Sequence, residues 1–144
     1  MTTTDFTTTV VVNKSPQAAF DAIANVGAWW SKNFKGQAEN KNDEFSVKFG
    51  DTFVDFIITE SIPGQKVVWL VTDCNLHWIS NKKEWNDTQV VWEIGEVANG
   101  TEIILTHIGL VPASECYKDC YAGWTGLLKE SLYNLIEEGI GNPE

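Results

Sequence analysis

Hydrophobic and polar positions follow two rhythms along this chain. A period of two runs through most of the middle, and steps of three and four mark the segments near the start and at the end. Residues 6–13, Phe-Thr-Thr-Thr-Val-Val-Val-Asn, are β-branched nearly throughout and predict a first strand. Ser15 followed by Pro16 forms an N-cap with proline at the first helical position, opening a helix over 16–25 with Ala19, Phe20 and Ile23 on one face. Gly27 breaks it, and Ala28-Trp29-Trp30 predicts one more short helical turn. Residues 32–43 are polar and read as a loop or a weak edge strand.

Alternation then takes over. A short strand at 44–49 meets the turn pair Gly50-Asp51, and a longer one at 52–62 sets Val54, Phe56, Ile58 and Ile62 against Asp55, Thr59 and Ser61. Pro63-Gly64 turns the chain into a strongly β-prone strand from Lys66 to about Leu76. Residues 75–86 have no clear period, with Asn81-Lys82-Lys83 as a loop tip. The strand at 88–97 points Val90, Trp92 and Ile94 one way. Asn99-Gly100 is the strongest hairpin signal, and the return strand at 101–108 sets Ile103, Leu105 and His107 against Glu102 and Thr106.

The last stretch, 113–138, organises the rest. Ser114 is placed to cap a helix and Gly139 to end it. Between them Tyr117, Cys120, Tyr121, Trp124, Leu128, Leu132 and Leu135 recur at helical spacing, with Lys118, Asp119, Lys129 and Glu130 mostly opposite. Such a helix is roughly 35–40 Å long. Successive hairpins imply an antiparallel meander, so the expected class is α+β, and the terminal helix is the only element long and apolar enough to cover the sheet. A curved sheet on one helix tends to leave a space between them where small apolar ligands bind.

Length fits one domain over 1–144, and 43% hydrophobic residues argue against disorder. Ten basic against twenty acidic residues give a formal charge of −10, which disfavours nucleic acid and anionic membrane surfaces as partners. No apolar run approaches the ~20 residues of a membrane span. The start, Met-Thr-Thr-Thr-Asp-Phe, lacks the features of a secretory signal, so the expected location is the cytoplasm. Cys74, Cys116 and Cys120 form no even disulfide framework, and the sequons at Asn13, Asn86 and Asn99 read as chance.

Several stretches resemble the START-like (SRPBCC) helix-grip superfamily. They are Ser-Pro-Gln-Ala-Ala-Phe-Asp-Ala-Ile at 15–23, Trp29-Trp30, Pro63 with Val67-Val68-Trp69, and Thr106-His107-Ile108-Gly109-Leu110. Glu115-Cys116 and Gly123-Trp124 leading into Ser131-Leu132 complete the set. Within that superfamily the chain looks like the branch of the activator of heat-shock protein 90 ATPase, C-terminal domain. The resemblance implies a seven-stranded antiparallel sheet, in the order β-α-α-β6-α, gripping the C-terminal helix around a cavity. It leaves activity open, because the superfamily includes lipid carriers, hormone receptors, cyclases and co-chaperones. The co-chaperone's separate N-terminal domain has no counterpart in the sequence.

Strand parity and helical phase nominate Phe20, Trp29, Trp30, Phe56, Trp69, Trp92, Ile94, Leu105, His107, Tyr117, Tyr121, Trp124 and Leu128 as cavity-lining. Trp29 and Trp30 are the expected mouth; for Trp69, Trp92 and Trp124 plain core packing is an equal reading. His107 shares a parity with Ile103 and Leu105, so it points toward the helix. There it could orient a ligand or act as a general base. The plainer alternative is a core histidine bonded to a carbonyl or to Tyr117, since no sequence-adjacent acid completes a dyad. Cys116 and Cys120 could share a metal with His107, but no fourth ligand is evident and buried free cysteines behave as small hydrophobes. Glu60 on an inward face would be costly unless paired; a solvated edge is the expectation. No phosphate loop, serine elbow or zinc-protease motif occurs.

The expectation is therefore a binder of a small hydrophobic molecule, lipid included, with no cofactor and no metal, acting as a monomer or homodimer. A stress-response co-chaperone partnering heat-shock protein 90 is the alternative, and a cyclase- or hydrolase-like enzyme using His107 is the third.

Overall fold

The computed structural model describes residues 4–143. Seven strands form one antiparallel sheet in the order β1-β7-β6-β5-β4-β3-β2. They are β1 (Phe6–Val12), β2 (Lys35–Gly36), β3 (Glu44–Phe49), β4 (Thr52–Ile62), β5 (Lys66–Asn75), β6 (Gln89–Val97) and β7 (Gly100–Ile108). Only β1 joins out of sequence, pairing along its whole length with β7. Helix α1 (Pro16–Ala24) connects β1 toward the far edge. The Ser15 hydroxyl accepts from the Ala18 amide, 3.1 Å, as an N-cap does. The final helix is α2 (Tyr117–Gly126), continuing through a wider π turn at Leu127–Leu132 into α3 (Tyr133–Glu138). This is the helix-grip arrangement, α+β, with a curved sheet wrapped on its last helix.

Inward residues alternate down the strands as the period of two requires: Val54, Phe56 and Ile58, then Val90, Trp92 and Ile94, then Ile103, Leu105 and His107 are all buried. With α1 and the terminal helix they form one continuous hydrophobic cluster. The β6–β7 turn needs its glycine. Gly100 has φ +142°, and a Cβ there would meet the Val12 carbonyl oxygen across the sheet.

Two bulges bend the sheet. The β4–β5 register shifts between Asp55 and Phe56 and again between Ile58 and Glu60. The second bulge inverts parity beyond Thr59, so Ile62, expected inward, is 40% exposed. Glu60 lies on the solvated side and pairs with Lys66 at 3.3 Å.

The last helix differs from expectation in its start and its phase. It begins at Tyr117, because residues 112–116 are turns. Ser114 does not cap it: its hydroxyl accepts from the Val111 amide and stabilises that turn. Its buried apolar positions are Cys120, Trp124, Leu128, Leu132 and Ile136, a strict row of fours, while Leu135 is only half-buried. In a regular α-helix such a row drifts about 40° per step and would wander off the sheet. The π turn restores the phase by fitting an extra residue into one turn, which keeps Leu132 and Ile136 inward. Gly139, φ +83°, ends the helix in the left-handed conformation.

Candidate functional site

Between the first turns of the terminal helix and the free end of the β3–β4 hairpin lies a cavity of about 300 Å³. Phe49, Thr52 and Val54 bound it on the sheet side, and Asp119, Cys120, Gly123, Trp124 and Leu127 on the helix side. Leu76, Trp78 and Trp85, from the segment between β5 and β6, form its roof, and Trp30 its inner wall. Among the described residues Asp119 is its only ionisable lining group besides the Cys120 thiol. A larger hollow among Lys32, Lys35 and Lys48 lies on the outer face of the sheet, away from the core.

The walls are part of a continuous aromatic stack. Trp30 is its hub, meeting Trp124 at 5.0 Å, Phe56 at 5.8 Å, Trp29 at 5.9 Å and Trp69 at 6.2 Å between ring centroids. Trp85 stacks on Trp124 at 5.9 Å with the planes 7° apart. Three of the four lining tryptophans direct the indole N–H at a protein acceptor. Trp78 donates to the Asp119 carboxylate (3.0 Å), Trp85 to the Cys116 sulfur (3.3 Å) and Trp124 to His107 Nδ1 (3.1 Å). These bonds fix the rings and occupy their donors.

His107 is fully buried and wholly engaged. An indole N–H can only donate, so Nδ1 is the acceptor and Nε2 carries the proton. Nε2 meets Thr88 Oγ1 at 2.9 Å, and that hydroxyl donates to the Trp85 carbonyl at 2.6 Å. Burial lowers the imidazole to about 3, so it is neutral at physiological pH. Its lone pair and its proton are both committed to the fold, and neither faces the cavity. The sequence pointed to a carbonyl or Tyr117 as its partner; Thr88 and Trp124 take those places.

The nominated residues fall into three groups. Trp30 and Trp124 line the cavity. Phe20, Trp29, Phe56, Trp69, Trp92, Ile94, Leu105, His107 and Leu128 are buried beside it in the core. Tyr117 and Tyr121 lie on the flank of α2 toward β1, where Tyr121 meets the Phe6 ring at 5.2 Å and is half exposed. Trp29 is not at the mouth: its N–H bonds the Ile23 carbonyl at 3.3 Å, and it has no exposed surface. The exposed tryptophan there is Trp78, 48% accessible. Sequence reading missed it because 75–86 has no period from which to assign a face; a tryptophan among polar loop residues was the available signal.

Cys116 and Cys120 are buried free thiols. A hydrogen bond with Cys116, reinforced by burial, raises the Cys120 thiol far above its ordinary value, so it is not a ready thiolate ligand. Among the described residues no three His, Cys, Asp or Glu side chains are grouped to hold a metal ion. No described helix is long and apolar enough to cross a membrane.

No protein-family model and no curated protein sequence matches the chain. Solved structures match its fold. The solution structure of the Aha1 dimer from Colwellia psychrerythraea superposes with a TM-score of 0.79 at 22% identity, covering 96% of this chain and 99% of that one. DynU16, from the dynemicin biosynthetic locus, gives 0.74 at 17% identity over 95% of this chain and 48% of its own. Protein MLL2253 from Mesorhizobium loti gives 0.74 at 12% identity, covering 92% and 96%. At these identities the likeness is one of fold, a helix-grip arrangement of curved antiparallel sheet and C-terminal helix.

Proposed function

We propose that this helix-grip chain is a binding module that holds a small, predominantly apolar molecule between sheet and terminal helix. The observation that carries the reading is the cavity of about 300 Å³ walled by Trp30, Phe49, Trp78, Trp85 and Trp124. Apolar walls with few polar groups are the usual composition of a small-molecule site, and this volume lies at the lower end of the range for one. The state of His107 supports binding without turnover. An imidazole whose two nitrogens are both bonded inside the core has no proton to exchange with a guest.

The test is native mass spectrometry of the protein purified from its own source, before and after denaturation. A discrete small molecule that leaves on denaturation is the expected result. Its absence, together with no thermal shift from any member of an apolar aromatic panel, would sink the reading.

The likeness to the Aha1 fold over nearly the whole of both chains favours a second reading, a stress-response co-chaperone acting through its surface on heat-shock protein 90. Stimulation of the ATPase of that chaperone from the same source would support it; no association at tens of micromolar would remove it.

A further inference from the structure

We infer that the occupant of the cavity is an organic cation, an ammonium or similar group on an aromatic or branched apolar body. The inference rests on the cavity reading above and names its ligand class. Four tryptophans and Phe49 supply the walls, and the one ionised side chain among the twelve lining residues is the Asp119 carboxylate. Indole faces carry a negative quadrupole and attract cations within about 6 Å, and a carboxylate at the rim adds a full charge of the same sense. The electropositive N–H edges of Trp78, Trp85 and Trp124 are unavailable to an anion, because they are directed at protein acceptors.

The surroundings point the same way. Among the described residues no lysine lines the cavity. Lys82, in the roof segment, donates to the His77 and Ile79 carbonyls at 3.0 Å each, and Lys83 pairs with Asp73 at 2.9 Å. Glu84 and Glu115 sit where the roof meets the helix and bond backbone amides there. All ten basic residues of the chain are lysines, so it has no arginine fork for a carboxylate or phosphate, and its formal charge is −10. A fatty acid or an acidic lipid would bring its head group to Asp119 with no counter-charge.

Three probes of similar shape separate the possibilities: phenyltrimethylammonium, its neutral isostere tert-butylbenzene, and the anion benzenesulfonate. Each is titrated into the full chain, followed by tryptophan fluorescence and calorimetry. The expected order is cation over neutral by at least about tenfold, with the anion weakest. In Asp119→Asn, which keeps an acceptor for the Trp78 N–H, the cation's advantage shrinks by about tenfold while tert-butylbenzene binds as before. Circular dichroism and the melting temperature of the variant confirm that it is folded. Neutral and cationic probes binding equally, or the anion binding best, would overturn the cation assignment and leave the cavity reading standing. No binding by any of the three would overturn both.

Discussion

Glu84 and Glu115 each cap the backbone that carries the other. The Glu84 carboxylate accepts from the amides of Glu115 (2.7 Å) and Cys116 (3.0 Å), just ahead of the terminal helix. The Glu115 carboxylate accepts from the amides of Ser80 (2.7 Å) and Asn81 (2.9 Å), in the roof of the cavity. Four amides outside regular structure thus find charged acceptors, and these bonds fasten the roof to the helix start.

The clasp is sensitive to acid. The bonds from Ser80 and Asn81 hold the Glu115 carboxyl below its ordinary value of 4.5. A depressed carboxylate contributes stability above its unfolded value and loses it as pH falls through the folded one. The roof should therefore be fully fastened at pH 6 and should loosen below about 4.5. Amide chemical shifts of Ser80 and Asn81 should titrate with a midpoint under that value, and Glu115→Gln should abolish the titration. A midpoint at or above the ordinary glutamate value would refute the clasp.

His107 makes stability pH-dependent in a different window. Its imidazole is neutral in the fold down to about pH 3, whereas in the unfolded chain it protonates near 6.5. Between those values the unfolded state binds the extra proton, so stability is complete above about 6.5 and falls as pH drops toward 3. From pH 7 to pH 5 the loss attributable to this residue is ~2 kcal/mol. Urea unfolding at the two pH values should show that difference in the native chain and lack it in His107→Gln. An equal loss in both would assign it to other groups.

How much of this was legible in the sequence depended on periodicity. The strands at 44–49 and 52–62, the hairpin at Asn99-Gly100 and the inward run Ile103, Leu105 and His107 follow from alternation alone, because side-chain direction on a strand has period two. Ile62 was misplaced where a bulge adds a residue that alternation cannot reveal, and Ile136 was overlooked for Leu135 where a π turn does the same in the helix. The cavity's roof was illegible. Trp78 and Trp85 are placed by long-range bonds to Asp119 and Cys116, 41 and 31 residues away, and no local pattern records such partners.

Gly123 is where the cavity can be closed from within. It lies in α2 on the cavity wall, and a Cβ built there meets nothing within 4 Å. Gly123→Ala should stabilise the helix by about 0.5–1 kcal/mol, since glycine loses more backbone freedom than alanine. Gly123→Leu should keep the fold, raise the melting temperature, and fill the space a ligand needs. Loss of co-purified ligand in the leucine variant, with retention in the alanine variant, is the expected pair of results. Undiminished ligand in Gly123→Leu would place the binding site elsewhere.

The π turn at Leu127–Leu132 provides the last test, because it is the only described irregularity in the helix the sheet grips. Lys129 is an exposed residue within that turn. Its replacement by alanine leaves the phase untouched and should change stability by no more than ~0.5 kcal/mol. Its deletion removes the extra residue that the π turn accommodates, so the turn should relax to a regular α-helix with the residues beyond it still facing as before. Leu132 would stay buried, as would Ser131, whose hydroxyl donates to the Trp29 carbonyl at 2.7 Å and accepts from the Asn142 amide at 2.7 Å. Deletion of the exposed Asn134, in the regular α3, should instead turn either Leu132 or Ile136 by roughly 100° away from the core and cost at least ~2 kcal/mol more by denaturant midpoint. A Lys129 deletion that costs as much as the Asn134 deletion would mean that the π turn does not set the phase of the helix.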